Sequence, residues 1–142
     1  MKCIIDTNVI FSALYNMESN SGDLLFLAIN GAIELIAPET VKEELIRNLR
    51  NKLNYSEEEI EETIQALPIT WIDSLVYDSF MKVAPEYIGH ENDYPIIACA
   101  LALNVDIVTG NKHFHPLKKK IIIAWGVREL VTLLLNQESA EN

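Results

Sequence analysis

Cysteine is scarce in this chain, with two residues, Cys3 and Cys99, in 142. Two thiols far apart, each inside an apolar run, make neither a disulfide framework nor a zinc knuckle. They read as buried, reduced thiols. Basic residues are also few: 11 Lys and Arg stand against 21 Asp and Glu, a net charge of −10. That deficit excludes an electrostatic grip on nucleic acid spread over the whole surface. It leaves room for a nuclease with a local acidic site. Long apolar runs are missing as well. The longest, Pro95 to Leu103, has nine residues and is too short to span a bilayer. Asp6 interrupts the apolar stretch that a signal peptide needs, so no membrane association is expected and the expected location is cytoplasmic. No internal repeat, linker or low-complexity segment is visible. The length suits one domain, expected over residues 1–136, with a frayed polar tail over 137–142.

What is present is an alternation of short apolar strands with helices. Cys3-Ile4-Ile5 reads as a buried strand ending at polar Asp6-Thr7-Asn8. Helices are predicted over Val9–Tyr15 and Asp23–Asn30, with a loop over Asn16–Gly22 between them. Ile33–Ala37 is a second strand, after which Pro38 opens a helix. Val41, Leu45, Leu49 and Leu53 give that helix a stripe at every fourth position. Ser56 followed by Glu57-Glu58-Glu59 is a helix start with a capping box. Pro68 ends it. Ile69–Ile72 is the third strand, and a helix is predicted over Asp73–Ala84. A polar loop then leads to an apolar, alanine-rich helix over Pro95–Leu103. Asp106–Val108 is a strand with Thr109-Gly110 as its turn. Ile121–Ile123 reads as the last strand and Val127–Leu135 as the last helix. Short, all-apolar strands alternating with helices imply an α/β fold, a parallel sheet covered on both faces.

In such sheets ligands bind beyond the carboxyl ends of the strands. The residues after each strand therefore matter most. They are Asp6-Thr7-Asn8, the helix carrying Glu43 and Glu44, Asp93 before the alanine-rich helix, and Thr109-Gly110-Asn111. Helical periodicity alone does not choose between Glu43 and Glu44. Carboxylates held close repel one another unless they are protonated or share a cation. Oxygen donors without a Cys/His set favour Mg²⁺ or Mn²⁺ over zinc. Such ions can activate water for phosphodiester hydrolysis. The plainer readings are a helix cap for Asp6 and Asp93, a solvated acid for Glu44, and turn residues for Asn8 and Asn111.

Ile4-Ile5-Asp6-Thr7-Asn8-Val9-Ile10 resembles the opening motif of the PIN-domain ribonucleases, a family that includes the VapC-type toxins of toxin–antitoxin pairs. The resemblance covers nearly the whole chain. In the second segment the family's acid has an apolar residue three before it and one after. Glu44 fits, with Val41 and Leu45, and Glu43 does not. Asp93-Tyr94-Pro95-Ile96-Ile97 resembles the third segment, whose acid opens a helix. Val108-Thr109-Gly110-Asn111 resembles the fourth, usually Thr-Gly-Asp. Asn111 therefore keeps an oxygen but lacks the charge, which implies weaker metal affinity. His90 stands where some relatives carry a further acid, with Glu91 beside it.

The resemblance implies a three-layer α/β/α PIN-like fold with a mostly parallel sheet of four to five strands. It implies a metal-dependent endoribonuclease, the toxin of a toxin–antitoxin pair, with Mg²⁺ or Mn²⁺ as cofactor. Asp6, Glu44 and Asp93 would be metal ligands, and Asn111 would complete the catalytic set. Asn8 and Thr109 would support them. Arg47, Arg50, Lys112 and His113 are candidates for RNA contact, as are Lys42, Lys52 and Lys118–Lys120. The implied partners are an RNA substrate, a cognate antitoxin and a second copy in a homodimer. The alternative is a catalytically weak PIN-fold module that binds RNA or protein, because the fourth acid is missing. Phosphotransfer of the haloacid dehalogenase type needs a second Asp two residues after the first, and that position is Asn8. A metal site built on His113 and His115 lacks a third ligand. Five acids, Glu57 to Glu59, Glu61 and Glu62, belong to one solvated helix face. With the three site acids set apart, thirteen acids remain against eleven bases. The charge excess is thus concentrated in two places, and RNA is expected to bind weakly without metal.

Overall fold

The computed structural model describes residues 1–115, 117–119 and 121–141. Five strands, β1 (Lys2–Ile5), β2 (Glu34–Pro38), β3 (Ile69–Ile72), β4 (Asp106–Val108) and β5 (Ala124–Trp125), form one sheet in the order β3-β2-β1-β4-β5. Every pairing is parallel. The apolar runs that start the strands explain this, because a parallel sheet is covered on both faces and needs no polar alternation. Cys3, Ile4 and Ile5 are fully buried, as are Ile107 and Val108.

The helices are α1 (Thr7–Tyr15), α2 (Asn20–Ile29), α3 (Glu39–Leu53), α4 (Glu57–Ala66), α5 (Ser74–Tyr77), α6 (Tyr94–Leu103) and α7 (Val127–Glu141). Helices α1, α2, α3, α4 and α7 form one linked layer. On the other side α5 packs on α6, which lies across β1, β2 and β4. The result is the expected three-layer α/β/α sandwich. Helix α6 buries Ile96 through Ala100 in succession. A helix apolar all round must be enclosed, and Ala98 and Ala100 let it approach the sheet closely. Helix α3 buries Val41, Leu45 and Leu49, the stripe read from the sequence. The capping box of α4 is formed: Ser56 Oγ accepts the Glu59 N–H at 3.1 Å, and Glu59 Oε1 accepts the Ser56 N–H at 3.0 Å. No helix among the described residues is long and apolar enough to cross a membrane.

Several boundaries differ from the sequence expectation. The last strand is Ala124–Trp125 rather than Ile121–Ile123. Asp106 explains the shift: its carboxylate accepts the Ile123 N–H at 3.1 Å and the Trp125 indole N–H at 3.2 Å. This clip sets the register Ile107↔Ala124 and leaves Ile121 and Ile123 in solvent. Helix α2 begins at Asn20 rather than Asp23, because Ser19 Oγ accepts the Gly22 N–H and caps the helix earlier. Helix α1 begins at Thr7, with Asp6 as its cap. Pro38 ends β2 instead of sitting inside α3. The predicted Asp73–Ala84 helix is broken into α5 and 3-10 turns at Asp78–Phe80 and Ala84–Glu86. Leu75 and Val76 face solvent there, so the segment has no continuous buried stripe to hold one long helix. Helix α7 continues past Leu135 to Glu141.

Candidate functional site: an acidic cleft at the carboxyl end of the sheet

The strand order places β1 beside β4, where the direction of winding reverses. Crevices of open parallel sheets form at that point. Asp6 follows β1 and Thr109 follows β4, so their side chains meet although 103 positions separate them: the Thr109 hydroxyl donates to Asp6 Oδ2 at 2.8 Å. Thr109 Oγ1 also accepts the Asn111 N–H at 2.9 Å. The other Asp6 oxygen, Oδ1, accepts the Thr7 N–H at 2.7 Å.

Asp6 is 6% exposed. Burial raises its pKa to about 6, against the pull of the Thr109 and Thr7 hydrogen bonds, and the charges of Asp93 and Glu44 push it further up. Glu44 projects from α3 and accepts the Thr7 hydroxyl at 3.1 Å. Asp93 precedes α6 but makes no side-chain capping bond to it. Burial raises its pKa too, opposed by His113 and His90. Its Oδ2 lies 3.6 Å from His113 Nδ1. The imidazoles of His90 and His113 stack with centroids 3.5 Å apart and planes 9° from parallel.

Asp6, Glu44, Asp93 and Asn111 line one cleft of about 690 Å³, together with Asn8, Arg47 and His113. Seven residues singled out from the sequence therefore converge. Thr109 lies beneath the cleft, fully buried. Glu43 also lines the cleft, but Glu44 is the one that receives the Thr7 hydroxyl and acts on both aspartates. Asn111 accepts the His113 N–H at 3.0 Å, which is the turn-residue reading realised inside the cleft.

Four of the other basic candidates have partners outside the cleft. Arg50 makes a two-pronged bond to Glu57, with Nε to Oε1 at 2.7 Å and the terminal nitrogen to Oε2 at 3.0 Å. Lys42 lies over the Trp71 ring and Lys52 over the Phe11 ring. Lys119 binds Glu86 at 2.9 Å. Lys112 is exposed on the turn after β4, Lys118 is exposed, and Lys120 lies outside the described residues. His115 approaches the Thr109 carbonyl at 3.4 Å. Sequence reasoning gave no role to the Thr7 hydroxyl or to the His90 ring. Both depend on contacts between distant segments, and no spacing rule signals them.

The donor set of three carboxylates and an amide oxygen suits a hard divalent cation. Its side chains are not drawn together, however. Glu44 turns to Thr7 and Asp93 to His113, and among the described residues no three His, Cys, Asp or Glu side chains are grouped closely enough to hold an ion. A cation here would rely on water bridges or on rotation of these two acids.

A family model described as PIN domain matches residues 4–132. The comparison with curated proteins gives no match. Solved structures with a similar fold include VapBC2 from Rickettsia felis bound to a DNA fragment from its promoter. That match is 20% identical, covers 89% of this chain and 98% of the other, and has a TM-score of 0.63. A toxin–antitoxin complex from Klebsiella pneumoniae is 16% identical, with 85% and 95% covered and a TM-score of 0.64. VapBC-1 from nontypeable Haemophilus influenzae is 20% identical, with 90% and 99% covered and a TM-score of 0.57. With a family model matched across the segments that carry Asp6, Glu44, Asp93 and Asn111, this chain belongs to the PIN-domain family.

Proposed function

We propose that the protein is a metal-dependent endoribonuclease, the toxin of a toxin–antitoxin pair. The observation that carries this reading is the buried Asp6 at the β1/β4 junction, held at both oxygens and facing Glu44 and Asp93 across one cleft. An acid with a raised pKa next to two more acids is an arrangement that a cation relieves. Asp6, Glu44 and Asp93 would hold Mg²⁺ or Mn²⁺. When bound, that ion supplies an activated water and charge neutralisation on phosphate. Thr109 and Thr7 fix the direction of the Asp6 carboxylate, and Asn8 and Asn111 line the path to it. Arg47 offers positive charge to a phosphate at the cleft wall. Hydrolysis forms a bond from water oxygen to phosphorus and breaks a phosphorus–oxygen bond of the RNA chain. The departing oxygen takes up a proton.

The likeness to VapBC complexes supports a cognate antitoxin as partner. Exposed Tyr15, Met17, Phe26 and Ile29 give apolar surface for a protein contact. The family resemblance supports a homodimer, and the short apolar runs of the sequence support a cytoplasmic location. A second reading rests on Asn111, which brings no charge and caps its own turn. On that reading the cleft binds RNA or protein and cuts weakly. Incubation of a structured RNA with Mg²⁺ or Mn²⁺ separates the two. Wild-type protein is expected to cleave it, and Asp6→Asn and Asp93→Asn to lose cleavage. Cleavage surviving in both variants overturns the site. Binding without cleavage, with either metal, favours the second reading.

A further inference from the structure

We propose that the stacked imidazoles of His90 and His113 form a platform for one unpaired nucleobase of the RNA, beside the phosphate to be cut. This rests on the nuclease reading above and adds a base-binding subsite to it. The two rings come from separate segments, one preceding the Glu91–Asp93 turn and one in the Lys112–Phe114 turn. They meet at 3.5 Å and 9°, and both residues are exposed. A pair that stacked only to enter the core would be covered. This pair keeps ring surface in solvent, on the wall of the same cleft as Asp6, Glu44 and Asp93.

The platform is built before any ligand arrives. Phe114 anchors the His113 turn in the core. Asn111 Oδ1 accepts the His113 N–H, and Thr109 Oγ1 accepts the Asn111 N–H. His113 Nδ1 faces Asp93 Oδ2 at 3.6 Å. Ordering of a loop therefore subtracts little from binding. Unpaired RNA bases stack on aromatic side chains, imidazole included. Stacking also answers the charge problem. A chain of net charge −10 gains little from broad phosphate neutralisation, and a contact between π-faces does not depend on it. The contact of His113 with Asp93 puts the platform next to the acids, so the base it holds adjoins the scissile position.

Binding tests this in the full chain carrying Asp6→Asn, so that RNA persists in Mg²⁺. The probe is a short labelled single-stranded RNA and a series of the same RNA with one abasic position moved along it. At one position the abasic change is expected to weaken binding about tenfold, the scale of one stacked base. His90→Ala is expected to weaken binding of intact RNA by a similar factor and to abolish that abasic penalty. His90→Phe keeps a stacking face without ring nitrogens and is expected to restore both. An abasic penalty that persists in His90→Ala overturns the platform. So does failure of His90→Phe to restore binding, which would assign the imidazole to a phosphate. Wild-type cleavage of RNA, measured alongside, separates the two levels. Cleavage without an abasic penalty sinks the platform alone, whereas neither cleavage nor binding sinks the nuclease reading and the platform with it.

Discussion

The Thr109 hydroxyl donates to Asp6 Oδ2 at 2.8 Å and accepts the Asn111 N–H at 2.9 Å. One buried side chain thus ties the end of β1 to the turn after β4. Thr109→Val keeps the shape and removes the hydroxyl, leaving the Asn111 N–H without its partner and Asp6 with one bond fewer. A loss of about 1–3 kcal/mol in stability is expected, together with reduced cleavage. Thr109→Ser retains the hydroxyl and is expected to keep activity. Urea denaturation and RNA cleavage on the same preparations check both.

Asp6 gives the metal-free protein a pH dependence of defined sign. Its pKa rises from the ordinary 3.8 to about 6 on folding, so the folded state binds the proton more tightly than the unfolded one. The stability this contributes is fully present below pH ~4 and is lost as pH rises through ~6. The difference is about 3 kcal/mol for a shift of about two units. Asp6→Asn carries no titrating charge and is expected to flatten the dependence, making the metal-free variant more stable than wild type at pH 7. Urea midpoints in a chelator at pH 4 and pH 7 test this. Parallel wild-type and variant curves would overturn it. Added Mg²⁺ is expected to stabilise wild type at pH 7 and to leave Asp6→Asn nearly unchanged, because only a ligand that binds the folded state shifts the equilibrium.

Asn111 is the position where a carboxylate changes the cleft without changing the turn. Its Oδ1 accepts the His113 N–H at 3.0 Å, and an aspartate accepts the same bond. Asn111→Asp adds a fourth negative charge beside Asp6 and Asp93. Metal-free stability is expected to fall, since like charges repel. Affinity for Mn²⁺ is expected to rise and cleavage with it. Calorimetric titration with Mn²⁺ reads the affinity, and unchanged binding would remove Asn111 from the metal's surroundings.

Where the sequence was legible, a local rule was at work. The Ser56–Glu59 capping box needs only a spacing of three residues, and it is present as read. The α3 stripe of Val41, Leu45 and Leu49 is a period of one helix. The parallel order followed from apolar strands, and with it the meeting of Asp6, Glu44 and Asp93 at one edge. Contacts between segments were not legible. The Asp106 carboxylate moved the last strand from three isoleucines to Ala124–Trp125, and no propensity scale contains that bond. Arg50 read as a basic residue open to RNA, yet Glu57 across the α3–α4 connection holds it at both ends of its fork. His90 and His113 lie far apart in the chain, and only the shared cleft wall reveals the stack.

Glycine makes the last contrast, because the motif glycine has room for a side chain and a glycine outside the motifs does not. Gly110 sits inside Thr109-Gly110-Asn111, but a Cβ built there meets nothing within 4 Å and its backbone is outside the left-handed region. Gly22 closes the polar stretch read as a loop, yet its Cβ would come within 2.0 Å of the Met17 carbonyl oxygen. The capping loop before α2 passes over that point, with Ser19 Oγ held by the Gly22 N–H at 3.2 Å. Backbone cannot swing aside as a flexible side chain can. Gly22→Ala is therefore expected to force the Met17–Ser19 loop outward and to cost about 1–3 kcal/mol, as overpacking does. Gly110→Ala is expected to be neutral or to stabilise by about 0.4–1 kcal/mol through the unfolded chain. Thermal and urea unfolding of the two variants decide the matter. Equal effects would mean that the α2 cap relaxes at no cost, and that the early start of this helix is not fixed by Gly22.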